Sequence, residues 1–113
     1  MEEQKQCSIQ AEKFVKKLED QKDQASINPQ NHLDPKTGTC YVTTYMLMVT
    51  PGNKLREEEM VNDAFEGTMF GKFASFDGHV EYCSVIMPSA EIKRCTDRVE
   101  FEKLIEIYIK VGL

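Results

Sequence analysis

Cys83 and Cys95 close the stretch "CSVIMPSAEIKRC" symmetrically about Ser89. If the chain reverses through the three-residue loop Pro88-Ser89-Ala90, Met87 faces Glu91. Facing positions on an antiparallel pair recur every second residue, so Val85 then faces Lys93 and Cys83 faces Cys95. A directly opposed pair holds its Cβ atoms about 4.5–5.5 Å apart and a disulfide needs about 3.5–4.5 Å, so a slight local twist suffices. A two-residue loop would put the pair out of register by one and require a bulge. A cross-link over so short a segment contributes about 3 kcal/mol in the chain-entropy model. That is a large share of the stability of a chain of 113 residues, which has room for one domain over 1–113.

Zinc and thioredoxin-like redox chemistry both favour C-x-x-C pairs, and the sequence has none. The bland alternative is four buried free thiols in a cytoplasmic protein. On spacing, disulfides rank first, free thiols second and a metal third. With Cys83 and Cys95 joined, Cys7 and Cys40 remain as the second pair, tying the first helix to the first strand.

Charge narrows the partners. The net charge is -5 and the pI about 5.0, which disfavours nucleic acid and offers no polybasic patch to anionic lipid. The longest apolar stretch, "YVTTYMLMV", is far short of the roughly 20 residues of a transmembrane helix. The opening "MEEQKQC" is acidic and polar where an export signal is basic and then apolar. It reads as a cytoplasmic start, or as a mature chain given a methionine for expression. Cysteine chemistry decides between them, favouring the periplasm or the exterior.

No internal repeat or low-complexity segment stands out. Cys7, Ala11, Phe14, Val15 and Leu18 share one face of a 3.6-residue period, so the chain opens with a helix that fades near 23–26. "SINPQNHLDPKTGT" reads as a loop, "CYVTTYMLMV" as a strand and "TPGNK" as a turn. Residues 55–66 fit either a helix or a strand; the flanking turns favour a strand paired with "TMFGKFASF". Asp77-Gly78 is a two-residue hairpin signal, and "HVEYCSVIM" pairs with "EIKRC". Asp97 and Glu100 are spaced as a capping box before a second amphipathic helix with Phe101, Leu104, Ile105 and Tyr108 on one face. The expected fold is α+β: an antiparallel sheet of three to five strands, with an N-terminal and a C-terminal helix packed on one face.

In combination, "CSIQAEKF", "LDPKTGTCYV", "DAFEG" and "CSVIMPSAEIKRC" followed by "EFEKLIEIYI" resemble a group of small bacterial exported proteins without an assigned activity. The resemblance is patchy but spans nearly the whole chain, and four aligned cysteines make it specific. It implies an N-terminal export signal removed from a mature, disulfide-bonded form, and a lipid anchor on the precursor stays open. It passes on no catalytic residue. That group tends to carry Gly where this chain has Ala90.

Candidate chemistry is sparse. "DPKTGT" nearly spells the phosphorylated-aspartate motif of ion pumps, but Pro35 separates Asp34 from Lys36, and a turn with Lys36 in solvent is the better reading. His32 with Asp34 and Asp77 with His79 are weak metal-ligand candidates, both in expected turns. Cys40 with His79 as a nucleophile pair fails if Cys40 is oxidised. "REEE", 56–59, reads as a solvated charge run, or else as part of an acidic patch for a basic partner. On a strand, Phe70 and Phe76 share one face and Phe73 takes the other. A cystatin-like inhibitor would suit helix plus sheet, but the Q-x-V-x-G loop signature is missing. The leading expectation is a non-enzymatic exported binding or accessory protein of the cell envelope, with no cofactor and with a protein or small ligand as partner. The alternative is a small metal-dependent or hydrolytic enzyme using His32, His79 and nearby carboxylates.

Overall fold

The computed structural model describes residues 2–21 and 26–109. Among them the order is α1 (Glu2–Gln21), β1 (Ser26–Leu33), β2 (Cys40–Thr50), β3 (Lys54–Asp63), β4 (Met69–Phe76), β5 (His79–Ile86), β6 (Ile92–Arg94) and α2 (Arg98–Ile109). The strands form one antiparallel sheet in sequence order, a six-stranded meander. The fading of the first helix near 23–26 falls mostly outside the described residues.

Three expectations about the sheet need correction. It has six strands rather than three to five, because Ser26–Leu33, expected as loop, pairs with β2 from Ser26↔Leu47 to Leu33↔Cys40. β1 lies at the sheet edge, where a proline such as Pro29 is admitted because an outward-facing N–H has no ladder bond to lose. The helices also lie on opposite faces rather than one. Cys7, Ala11 and Val15 of α1 pack with Cys40, Val42 and Ala64, whereas Phe101, Ile105 and Tyr108 of α2 pack with Tyr41, Val61, Phe73 and Val85. Tyr41 and Val42 are consecutive on β2, so the two clusters sit on different sides of the sheet. The physical reason is in "CYVTTYMLMV": a strand without polar alternation is one buried on both faces.

The third correction concerns the phenylalanines. The register slips between Val61 and Asn62, whose partners on β4 are Gly71 and Met69, leaving Phe70 as the extra residue of a bulge. The bulge turns Phe70 towards the α2 side, where it meets Tyr41 and Tyr108, while Phe73 lies near Phe101. Phe76 instead sits beneath the cations of Lys54 and Arg56.

Residues 55–66 are mostly strand, as the flanking turns suggest. Asp77 and Gly78 both take positive φ, as a type I′ turn requires. Asp97 accepts the Glu100 N–H at 2.8 Å, whereas the Glu100 carboxylate accepts from the Thr96 hydroxyl, so half of the capping box forms. One loop does recur. Asp34 and Asp63 each cap their own turn, accepting the N–H of Lys36 and of Phe65 respectively, and each loop ends in a positive-φ glycine, Gly38 or Gly67, followed by threonine. The motif D-x-x-x-G-T therefore occurs twice, at 34–39 and 63–68, in hairpins at the same end of the sheet.

Cys7 is bonded to Cys40 and Cys83 to Cys95, with Cα separations of 5.4 and 5.1 Å. Around the second bond, Met87 N–H donates to the Glu91 carbonyl, Val85 faces Lys93, and Cys95 N–H donates to the Cys83 carbonyl. Ala90 closes this hairpin at φ 72. An L-residue held in that left-handed region is strained by about 1–2 kcal/mol, partly offset in a glycine by its larger entropy loss. Ala90→Gly is therefore expected to stabilise the protein by about 0.5–1 kcal/mol, read as a higher urea midpoint at unchanged slope.

Candidate functional site

Two of the three glutamates in "REEE" are buried, which corrects the reading of a solvated run. β3 is an interior strand, so its alternate side chains point under a helix rather than into water. Glu57 and Glu59 rise on the α2 side of the sheet, in register with Leu47 and Tyr45 of β2. Glu57 accepts a hydrogen bond from the Tyr45 hydroxyl. Glu59 is only 8% exposed and meets the first residue of α2, Arg98, whose Nε donates to Glu59 Oε1 at 3.1 Å. Glu102 Oε1, one helical turn further on, lies 3.0 Å from the same nitrogen. The guanidinium carbon rests 3.9 Å from the centroid of the Tyr45 ring. A cation in the first turn of a helix opposes the helix dipole. Arg98 is held there by two carboxylates and an aromatic face, which outweigh the dipole.

This group borders a cleft of about 260 Å³ between α2 and β1–β3, lined also by Gln30, Thr43, Ile105, Glu106 and Ile109. Thr43 is 7% exposed and lines the cleft from β2. Three carboxylates, those of Glu59, Glu102 and Glu106, line the cleft together with the Arg98 guanidinium.

Burial pushes the Glu59 carboxyl above its ordinary value of 4.5, and the Arg98 hydrogen bond and charge only partly oppose it. Burial pulls Arg98 down, but hydrogen bonding and charge from Glu59 outweigh it and its pKa is raised. Burial, then the hydrogen bond to Glu57, raises Tyr45. The consequence for Glu59 has a definite sign. Between its ordinary and its raised value the folded protein holds more protons than the unfolded chain, so this residue's contribution to stability falls as pH rises through that window. Glu59→Gln is expected to flatten the decline in unfolding free energy above pH 4.5, measured by urea titrations at stepped pH.

The histidine candidates do not converge. His32 lies on β1 and Asp34 in the following loop, whereas Asp77 and His79 lie at the β4–β5 turn. Four inter-strand steps separate β1 from β5, about 19 Å at the usual spacing. Among the described residues no group of three or more His, Cys, Asp or Glu is placed to hold a metal. Cys40 is bonded to Cys7, which removes it as a nucleophile partner for His79. Lys36 is exposed, in keeping with the turn reading of "DPKTGT". Of the cleft residues, Glu59 was read only within the "REEE" run, and its meeting with Thr43, Tyr45, Arg98 and Glu102 was not, because Glu59 and Arg98 are 39 positions apart. The one local signal was Arg98 and Glu102 at i,i+4 on the last helix.

No family model, no curated protein and no solved structure matches the chain. Among the described residues no helix is long and apolar enough to cross a membrane.

Proposed function

We propose that this chain is a non-enzymatic binding or accessory protein, exported to the bacterial cell envelope or beyond, whose ligand seat is the cleft between α2 and β1–β3. One observation carries the binding reading: a cleft whose charged walls are fixed in advance by Glu59, Arg98 and Glu102. Groups already held in place lose little freedom when a ligand arrives, which is what a binding site requires. Export is supported by the two disulfides, which fit an oxidising compartment, and by the resemblance to exported four-cysteine proteins. The disulfides also support a role away from thiol chemistry, since the described residues include no free cysteine.

An amide-resolved NMR screen of the oxidised protein against a mixed library of small acids, bases, neutral compounds and short peptides tests the seat. The expected result is a set of shifts centred on Thr43, Tyr45, Glu59 and Glu102. A library that shifts nothing, or hits gathered on another surface, would reject the cleft.

A further inference from the structure

We infer that Cys83–Cys95 is a site of thiol–disulfide exchange, opened by a dithiol reductant at Cys95 Sγ while Cys7–Cys40 stays closed. The exchange does not involve the cleft. Burial separates the two bonds. Cys7 and Cys40 are fully buried between α1 and the sheet. Cys95 is only half-buried, and together with Cys83 it lines an open depression of about 400 Å³. The depression lies where β6 stops short. β6 covers only Ser84–Ile86 of β5, and Val80, Glu81 and Tyr82 run on beside the depression. An attacking sulfur has to reach a disulfide sulfur, so access ranks the two bonds. Cys83 is only 8% exposed, which leaves Cys95 as the sulfur within reach. Arg94 lines the same depression, while the Glu81 carboxylate there is held by Arg56 at 2.8 Å. A guanidinium at the entry favours an approaching thiolate.

The first thiolate of the dithiol attacks Cys95 Sγ. A bond forms between them as the Cys83–Cys95 bond breaks, and Cys83 leaves as a thiolate that takes a proton from water. The second thiolate of the reductant then attacks the reductant sulfur of this mixed disulfide, and Cys95 leaves and is protonated in turn. Two electrons pass: the dithiol is oxidised to its own disulfide, and the protein's cystine is reduced to two thiols. Cys83 Sγ lies 3.7 Å from the Asp97 carbonyl oxygen, an acceptor for the S–H that forms. The protein is the substrate of this exchange and supplies no catalytic thiol. β6 is only Ile92–Arg94, and all three residues are exposed, so with the bond open it is held mainly by backbone hydrogen bonds. That is the condition for local opening. α2 stays in place, because Phe101, Ile105 and Tyr108 are buried in the core. Release of β6 leaves β5, His79–Ile86, as a free edge of 8 residues that another strand can pair with.

The test uses dithiothreitol as the dithiol. The oxidised full chain is incubated with it without denaturant at about pH 8, close to the ordinary thiol pKa. Thiols are trapped with N-ethylmaleimide at stepped times, and mass spectrometry counts the label at each cysteine. Cys83 and Cys95 are expected to label together, at least about tenfold faster than Cys7 and Cys40. Arg94→Gln, at an exposed position, is expected to slow that labelling by about two- to fivefold at low salt, the scale of one surface charge. Brief exposure to glutathione, quenched in acid, is expected to leave a mixed disulfide on Cys95. Hydrogen exchange under dithiothreitol reads the release of β6. The amides of Met87 and Cys95 donate to the carbonyls of Glu91 and Cys83 across the hairpin. They are expected to exchange at least about tenfold faster than in the oxidised protein, while β2 and β3 keep their protection.

Equal labelling rates at all four cysteines, label appearing first at Cys7 and Cys40, or no label without denaturant would each overturn the exchange site. A glutathione adduct on Cys83 would overturn Cys95 as the sulfur attacked, and an unchanged rate in Arg94→Gln would overturn the role of the guanidinium. Unchanged protection of Met87 and Cys95 after reduction would show that β6 stays docked, and the freed edge falls.

Discussion

Replacing Cys7 and Cys40 together by alanine is expected to cost about 4 kcal/mol of unfolding free energy, the largest effect of removing either cross-link. The bond closes a separation of 33 residues, and the chain-entropy relation gives about 4 kcal/mol for a loop of that size, against about 3 kcal/mol for the 12-residue separation of Cys83 and Cys95. Packing points the same way. The buried positions of α1 in its cluster are Cys7, Ala11 and Val15, with Phe14 half-buried beside them. Three small side chains bury little apolar area, so the covalent tie supplies much of what holds this helix to β1 and β2. Urea titration of the two double-alanine variants under non-reducing conditions should therefore rank Cys7/Cys40 below Cys83/Cys95, and both below the parent. The Cys7/Cys40 variant should also lose helical circular dichroism before the main transition, as α1 leaves the sheet. Coincidence of all three curves would contradict the assignment of stability to the bonds.

Phe101→Ala is expected to cost about 3–5 kcal/mol, the range for deleting a fully buried aromatic ring from a packed core. Phe101 is fully buried, and its ring centroid lies 6.2 Å from that of Phe73. Gly71 shows how closely α2 approaches the sheet: a Cβ built there would lie 3.3 Å from Phe101 Cε1 and 3.2 Å from Val85 Cγ2. The missing side chain at Gly71 leaves room for the ring, and alanine at 101 would leave a cavity that neither Val85 nor Phe73 can fill without moving. Ile107→Ala on the same helix, at an exposed position, is expected to change stability by no more than about 0.5 kcal/mol. Equal midpoints for the two variants would mean that α2 does not bury this face.

Much of the fold could be read from local pattern. The 3.6-residue stripes of Cys7-Ala11-Val15 and Phe101-Ile105-Tyr108 mark both helices, and Asp77-Gly78 and Pro88-Ser89-Ala90 mark two hairpins, because those signals are complete within a few residues. What escaped depended on neighbours distant in sequence. Ser26–Leu33 has poor strand propensity and becomes β1 only because β2 offers it an edge. The placement of the helices on opposite faces follows from β2 being buried on both sides, which its lack of alternating polar positions indicates but a single-layer picture overlooks. The cleft was the least legible part. Glu59 looks like surface charge until β2 and β4 enclose its strand, and Arg98 looks like an ordinary helical cation until Glu59 lies beneath it.

Digestion of the oxidised protein after alkylation without reductant, followed by mass spectrometry, reaches the foundation of this account. The expected spectrum contains one peptide pair joined through Cys7 and Cys40, a second linkage between Cys83 and Cys95, and an intact mass lower by four hydrogens with no alkyl adducts. Four alkylated cysteines, or linkages that cross the two pairs, would contradict both the architecture described and the exported character built on it.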